Sequence, residues 1–577
     1  MRHVGHKPIQ IPAISEELVY LCTLNTISLC SQTMKSVQGF RANAHRYRDT
    51  ASRSSQETLH SLSLEHINAN RFEEAKEILR QLVDSKTSLP SPYNNLAILY
   101  QLNGRYKDSI PLLKKAISLA PEDAETHFNL GVSLQHQEQN EAAIVAYSKA
   151  LKLRSNHIDS LNNLGNIFLE EGRSHDASHC YEMAIKHQPD NADAYNNLGN
   201  ALRSLNRNKE AVDIYQQAIM LHPEHAKAYN NLGNSLRQLG QINQAIACYS
   251  KAIAIQPDYA EAHTNLGMAL LSLGDYRKGL KEFEWRSSHI DAIHPHAIPA
   301  CLAWQGKSIP SGESLLLISE QGLGDSLQFM RYASNLRQQG IQVRLCIQEK
   351  LHGLAKASGL DETPLSPEQG SAIANGHWIS LMSLPNRLNI TPHQPLTTSP
   401  YLKTTSELQQ RWQQKLKKES GPVIGINWQG NPIAEKISLL GRSLPLNAFK
   451  SIAESWPGKL LSLQKGTGSD QLRTCSFRSS FVSCQRKVSE TWDFLETAAM
   501  IQACELVITS DTAVAHLSAG LGQTTWLLLN KTPDWRWGLS GENTFWYPSM
   551  RLFRQTSPGD WNQVIQDVRD ALQQTYR

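Results

Sequence analysis

The chain has 577 residues, a formal net charge of +4 and nine cysteines. That length holds two or three domains with substantial cores. The charge is too small and the basic residues too dispersed to mark a nucleic-acid surface. The cysteines (Cys22, Cys30, Cys180, Cys248, Cys301, Cys346, Cys475, Cys484, Cys504) are scattered, with no Cys-x-x-Cys. This argues for reduced thiols in a cytoplasmic protein and against a disulfide or zinc framework. No apolar run approaches the roughly 20 residues of a membrane span. The longest, residues 18–30, is broken by Asn25, Thr26 and Ser28 and follows acidic Glu16 and Glu17, so it is a poor secretory signal. Residues 1–55 are polar and aperiodic, and a loosely ordered segment is expected there, with Met34 an alternative start.

From residue 93 to 280 the chain repeats itself every 34 residues. The marker Asn-Leu-Gly begins at Asn129, Asn163, Asn197, Asn231 and Asn265. Behind it follow a small residue (Ala177, Ala211, Ala245), an aromatic (Tyr181, Tyr215, Tyr249), a second alanine (Ala184, Ala218, Ala252) and a proline (Pro189, Pro223, Pro257). Leu198 and Leu202 share one face of a first helix, and Ala211, Tyr215 and Ala218 one face of a second. Alanines allow close approach, the tyrosine fills the gap, and proline opens the next turn. The period and offsets resemble the tetratricopeptide helix–turn–helix repeat. Tyr93, Asn95 and Leu96 open an earlier copy, with Ala97 in place of glycine. Leu62, Asn70, Arg71, Phe72 and Ala75 match one more, so seven repeats are expected over residues 56–293. The last ends in Phe283-Glu284-Trp285-Arg286, a departure expected where an array meets something other than its own copy.

After Pro299 the pattern changes to short apolar runs alternating with helical ones. Strands are predicted at 314–319, 341–347, 377–382, 423–428, 459–463, 506–509 and 525–529. Helices are predicted at 326–338, 446–454, 491–504 and 514–520, with a Lys-rich connection around 411–418. Alternation of this kind gives parallel sheets with right-handed crossovers. Two sets, 300–410 and 420–577, suggest two doubly wound halves, with ligands at the carboxyl ends of the strands.

Two strand–loop–helix junctions carry the chemistry. In Glu320-Gln321-Gly322-Leu323-Gly324-Asp325 the glycines permit a tight turn, but Leu327 occupies the third glycine position of a dinucleotide fingerprint. Asp325 has two readings, a helix cap or a general base, which coexist poorly because a cap lowers basicity. In Thr509-Ser510-Asp511-Thr512-Ala513 a strand delivers polar side chains to a helix start, a cradle for a diphosphate. His516 is either a structural residue or part of that site. Arg442 and Lys465 are either counter-charges or solvated surface groups, and Trp535 and Trp537 read as packing aromatics.

The segments LLLISEQGLGDSLQFMRY, Gly441–Ser443 (GRS), SLQKG at 462–466, ITSDTAVAHLSAGLG, and the tail from Pro533 to Gln555 carry a second resemblance. Residues 300–575 are similar to the glycosyltransferase family 9 (heptosyltransferase-like) domain, in its bacterial version fused to tetratricopeptide repeats. The resemblance implies an α-solenoid followed by an α/β GT-B domain of two Rossmann-like halves, acceptor on the first and nucleotide-sugar on the second. It implies inversion at the anomeric carbon with neither metal nor cofactor, and no Asp-x-Asp occurs in the chain. It places the catalytic base on Asp325 and the donor loop on Asp511, Thr512 and His516, with Ala513 where the family has glycine. It assigns no role to Trp535 or Arg536.

The repeats then have an expected part beside the enzyme. Asn95, Asn129, Asn163, Asn197, Asn231 and Asn265 occupy one position in successive first helices, and an amide suits pairing with an extended peptide backbone. This is similar to the asparagine ladder of the O-linked N-acetylglucosamine transferases, although the region after Asp511 lacks their PYNG-type loop. The other reading makes these asparagines a feature of the repeat consensus alone. The reading from another class is a catalytically inactive repeat scaffold that binds a protein partner.

Overall fold

The computed structural model describes residues 53–288, 294–310, 312–396, 400–432, 435 and 441–576. Residues 1–52, with Cys22 and Cys30, lie outside them, and residues 53–55 belong to the first described helix, Arg53–Asn68. The chain divides into two compact units, Met1–Asn231 and Leu232–Arg577.

The repeats appear as seven helix pairs in chain order, from Arg53–Asn68 and Phe72–Asp84 to Ala260–Ser272 and Tyr276–Phe283. Among the described residues no helix is long and apolar enough to cross a membrane. In the first unit, Leu198, Leu202, Ala211, Tyr215 and Ala218 are all buried. The marker glycine and the aromatic prove to be one contact. A Cβ added at Gly131, Gly165 or Gly199 would stand 2.5, 2.6 and 2.5 Å from the Tyr147, Tyr181 or Tyr215 ring. The hydroxyls of Tyr181 and Tyr215 donate to Asn166 and Asn200 Oδ1, each at 2.7 Å. In the second unit Gly233 repeats the contact with Tyr249 at 2.5 Å.

The final pair departs from this. Gly267 faces backbone instead of a ring, with Phe283 N 2.6 Å from where its Cβ would be, and Gly279 meets Leu271 N at 2.9 Å. Two facing glycines thus let the last two helices touch main chain to main chain. The second is short, Tyr276–Phe283, and runs into a 3₁₀ turn, Glu284–Ser288.

Beyond it lie two parallel sheets. The first has strands β1 (Leu302–Ala303), β2 (Ser314–Ile318), β3 (Gln342–Cys346) and β4 (His377–Ser380), ordered β1-β4-β2-β3. The second has β5 (Val423–Asn427), β6 (Lys459–Ser462), β7 (Leu506–Ser510), β8 (Thr525–Leu529) and β9 (Met550–Arg554), ordered β6-β5-β7-β8-β9. β5, β7 and β8 are buried along their whole length, as strands covered on both faces are.

Two expectations need correction, and two elements add to them. The helix read as 326–338 is two, Leu323–Phe329 and Tyr332–Gln338. Arg331 Nε donates to the Gln328 carbonyl at 2.7 Å, the acceptor that a continuous helix would offer to the Tyr332 N–H. The connection at 411–418 falls mostly in a helix, Ser406–Leu416, whose buried Trp412 and Leu416 were masked by the surrounding lysines. β9 and the closing helix Trp561–Thr575, capped by Asp560, were not anticipated.

Candidate functional site

Three strand ends of the second unit meet. β2 leads into the loop that starts helix Leu323–Phe329, β7 into helix Ala513–Gly520, and β8 into the 3₁₀ turn Trp535–Trp537. The two helix starts are in contact: a Cβ on Gly324 would come within 3.0 Å of His516 Cδ2 and 3.6 Å of the Ala513 Cα. Both this glycine and the small residue at 513 are therefore set by the approach of the loops to each other.

Asp325 lies in the first turn of its helix and makes the bond of a cap. Its Oδ2 accepts the Gly322 N–H at 3.0 Å, and its Oδ1 is paired with Arg536 Nη2. Arg536 is buried among further partners, donating Nη1 to Asp534 at 2.8 Å and Nε to Gln328 Oε1 at 2.6 Å. Its guanidinium lies 4.7 Å from the Trp535 ring centroid and 5.3 Å from that of Phe329. Burial pushes the Asp325 carboxyl above its ordinary range, with Arg536 opposing and the Asp534 charge reinforcing.

Asp511 sits just past β7 on the same group of charges. Burial, with Asp534 adding to it, pushes its carboxyl up to about 6, against the pull of Trp537, Arg442 and Arg536. The Trp537 indole N–H reaches no acceptor at hydrogen-bond distance, yet lies close enough to favour the ionised form of Asp511. Thr512 Oγ1 donates to Asn427 Oδ1 at 3.1 Å, and the buried Ser510 hydroxyl has no hydrogen-bond partner among the described residues. Arg442 Nη1 donates to the Asp511 carbonyl at 3.2 Å and lies over Gly430, where a Cβ would be 2.5 Å from it. His516 is buried, stacked on Trp537 at 5.4 Å, and bonded through Nδ1 to the Tyr547 hydroxyl at 2.9 Å. Burial, with Arg536 and Arg331 adding to it, holds the imidazole well below its ordinary value, so it is neutral at physiological pH.

The arrangement thus brings Asp325, Asp511, Thr512, His516 and Arg442 to one place. Lys465 is set apart: its Nζ donates to the Val488 carbonyl, and burial lowers its amine to about 8. Arg536, which ties Asp325 to Asp534 in the loop after β8, was missed by sequence reasoning. No spacing reveals a partner 211 residues away.

The site is joined to the last repeat. Arg286 donates to buried Glu320 at 2.8 Å and to Ser383 at 2.8 Å. Tyr276 packs edge-on against Trp535, Phe545 and Trp546. Arg286 at the end of the array is thus an anchor on the loop that carries Asp325, while Trp285 stacks on His263 within the array.

The marker asparagines are held by their neighbours. Asn129 and Asn231 donate to Asn94 and Asn196 of the preceding repeat, each at 3.0 Å. Asn163 donates to the Tyr147 hydroxyl at 3.3 Å, and Asn197 accepts from Asn196 at 3.3 Å. Asn95 and Asn265 are buried.

Comparison with known proteins bears on the repeats. Models of the tetratricopeptide repeat match residues 88–156, 162–230, 214–247 and 233–274. No curated protein matches the chain. Among solved structures, a crystal structure of MamA is 29% identical, covering 27% of this chain and 91% of its own, with a TM-score of 0.26. YrrB, described as a TPR protein with an unusual peptide-binding site, is 25% identical over 32% of this chain and 93% of its own, TM-score 0.27. MamA residues 41 to the end from Desulfovibrio magneticus RS-1 is 22% identical over 30% of this chain and 96% of its own, TM-score 0.28. Residues 88–274 are an array of tetratricopeptide repeats, followed by two parallel sheets.

Proposed function

We propose that the sheet region is an inverting, metal-independent glycosyltransferase of GT-B architecture that uses a nucleotide-sugar, and that the repeats recruit its acceptor, a protein or peptide, in the cytoplasm. The observation that supports this reading is that the helix starts holding Asp325 and Asp511, delivered from two separate sheets, pack directly on each other, Gly324 against His516 and Ala513. Transfer from a nucleoside diphosphate needs a base for the attacking hydroxyl, a grip on the sugar, and positive charge at the leaving diphosphate. Asp325 suits the first, Asp511 the second, and the Thr512 helix start with Arg442 the third. Lys465 serves the third role only if it leaves the Val488 carbonyl. Tetratricopeptide arrays are protein-binding scaffolds, and the peptide-binding description of YrrB accords with an acceptor held on the asparagine ladder.

One observation favours the inactive-scaffold reading, that the Asp325 carboxylate is already paired with Arg536. The experiment that separates the two is a thermal-shift screen of the full chain against UDP-, GDP- and ADP-sugars, followed by two variants. Asp511→Ala should lose donor binding. Asp325→Asn should bind donor normally and turn over roughly 100- to 10,000-fold more slowly, the range for loss of a general base. A wild-type chain that binds none of these nucleotide-sugars counts for the scaffold reading.

A further inference from the structure

Behind His516 lies a buried cation that no carboxylate faces among the described residues. Arg331 is 1% exposed, and its Nε and Nη1 donate to the Gln328 and Trp546 carbonyls, each at 2.7 Å. Among the described residues its Nη2 finds no acceptor. The guanidinium instead lies 4.3 Å from the ring centroid of Tyr547, 4.8 Å from that of Tyr401 and 5.9 Å from that of Trp546. Aromatic faces and carbonyls stabilise such a charge, but they give it no anion to neutralise it.

The hydroxyls of the two tyrosines form a short chain that ends on the imidazole. Tyr401 Oη lies 2.7 Å from the Leu327 carbonyl and 3.4 Å from Tyr547 Oη, which lies 2.9 Å from His516 Nδ1. A carbonyl only accepts, so the Tyr401 proton is committed to Leu327. The Tyr547 proton then has two destinations, the imidazole nitrogen at 2.9 Å or the other phenol at 3.4 Å, and the shorter is the imidazole. The neighbouring guanidinium acts in the same sense, because its charge favours phenol lone pairs turned toward it and O–H bonds turned away.

Resting on the transferase reading for its substrate, we infer that Arg331, Tyr401 and Tyr547 are positioning residues that fix His516 as the tautomer protonated on Nε2, an N–H donor to a substrate oxygen. Nε2 is the ring nitrogen on the Gly324 side, 3.7 Å from where a Cβ on that glycine would stand. The Nε2 atom therefore lies beside the loop that carries Asp325. Burial and the two arginines keep the ring neutral, so it serves an oxygen of the sugar or diphosphate as a hydrogen-bond donor without charge. The stacked Trp537 holds the ring plane.

The test is nitrogen NMR of the full chain labelled at histidine, with the His516 signals identified by their loss in His516→Gln. The ligand-free wild type should show His516 with a pyridine-type Nδ1 and a pyrrole-type Nε2. Tyr547→Phe, which keeps the ring and removes the hydroxyl, should turn this single form into a tautomer mixture. An Nδ1-protonated ring or an imidazolium in the wild type overturns the assignment, as does a tautomer unchanged in Tyr547→Phe. Donor binding supplies a second readout with UDP-N-acetylglucosamine, GDP-mannose and ADP-glucose as probes. His516→Gln, whose amide N–H falls where Nε2–H was, should bind the preferred probe within about threefold of wild type. His516→Phe should lose about 10- to 100-fold, as expected for a lost bond to a charged or strongly polar oxygen. Equal losses in both variants also overturn the donor role. Failure of all three probes to bind the wild type counts against the transferase reading, and the tautomer still decides the positioning chain.

Discussion

The repeat array and the sheet region hold together by opposite kinds of contact. In the array one contact is copied: Gly131, Gly165, Gly199 and Gly233 each receive a tyrosine ring at 2.5–2.6 Å from a Cβ position, always at the same offset. In the sheet region each contact occurs once and spans much of the chain, as from Arg536 to Asp325 over 211 residues or from Arg331 to Trp546 over 215. A copied contact announces itself in the sequence and tolerates the loss of one copy. A single long-range contact does neither.

The largest test of this difference lies at the anchor. Arg286→Met leaves buried Glu320 without its partner and should destabilise the sheet region by ~3–5 kcal/mol, the cost of breaking a buried pair. Adding Glu320→Gln should recover most of that loss in denaturant titration of the full chain, and additive losses would remove the pair from the account. Next comes the copied contact. Gly199→Ala drives a methyl into the Tyr215 ring and should cost ~1–3 kcal/mol, the usual range for overpacking. The same substitution at Gly131 and Gly165 should cost the same within ~0.5 kcal/mol, and a wide spread would break the notion of a copied contact.

A smaller effect concerns pH. Asp511 has a folded-state pKa raised to about 6, above the ordinary 3.8. A group shifted in that direction contributes stability that is complete below about pH 4 and is lost as the pH rises through about 6. Asp511→Asn should flatten that stretch by roughly 1–2 kcal/mol, and denaturant midpoints between pH 4 and 7 would show it. A wild-type curve that is already flat rejects the buried environment. The smallest effect is expected on the ladder. Replacing Asn163, Asn197 or Asn231 singly with alanine should change acceptor use by ~0.5–1.5 kcal/mol or less, and the triple variant should be clearly impaired. On the proposed transferase reading, a triple variant with wild-type use of a protein acceptor would reduce the ladder to a packing feature, as the bonds Asn129–Asn94 and Asn231–Asn196 already allow.

What the sequence made legible follows the same divide. The 34-residue period located every described helix pair, because glycine, alanine and tyrosine recur wherever the same packing recurs. The strand–loop–helix junctions at Asp325 and Asp511 were also legible, since an apolar run ending in small polar residues has few other uses. The partner of Asp325 was not. Asp325 carries no mark of Arg536, and Trp535-Arg536-Trp537 reads as packing aromatics until β8 places it beside β2's loop. The helix Ser406–Leu416 was hidden for another reason: only Trp412 and Leu416 are buried in it, and its polar face dominates the composition.

The ending of the array has a consequence for how such a chain evolves. Whole 34-residue units upstream are alike, since each closes its own helix pair through the same glycine and tyrosine. Recombination between Asn-Leu-Gly markers therefore lengthens or shortens the reader without disturbing its register. The last unit is outside that traffic. Tyr276, Phe283 and Arg286 hold the Trp535 ring and the Glu320 side chain, so this repeat is inherited with the sheets. A lineage that trades its repeats to meet new partners is expected to keep this one, and a graft of a foreign array should be cut before Ala260, not after Phe283.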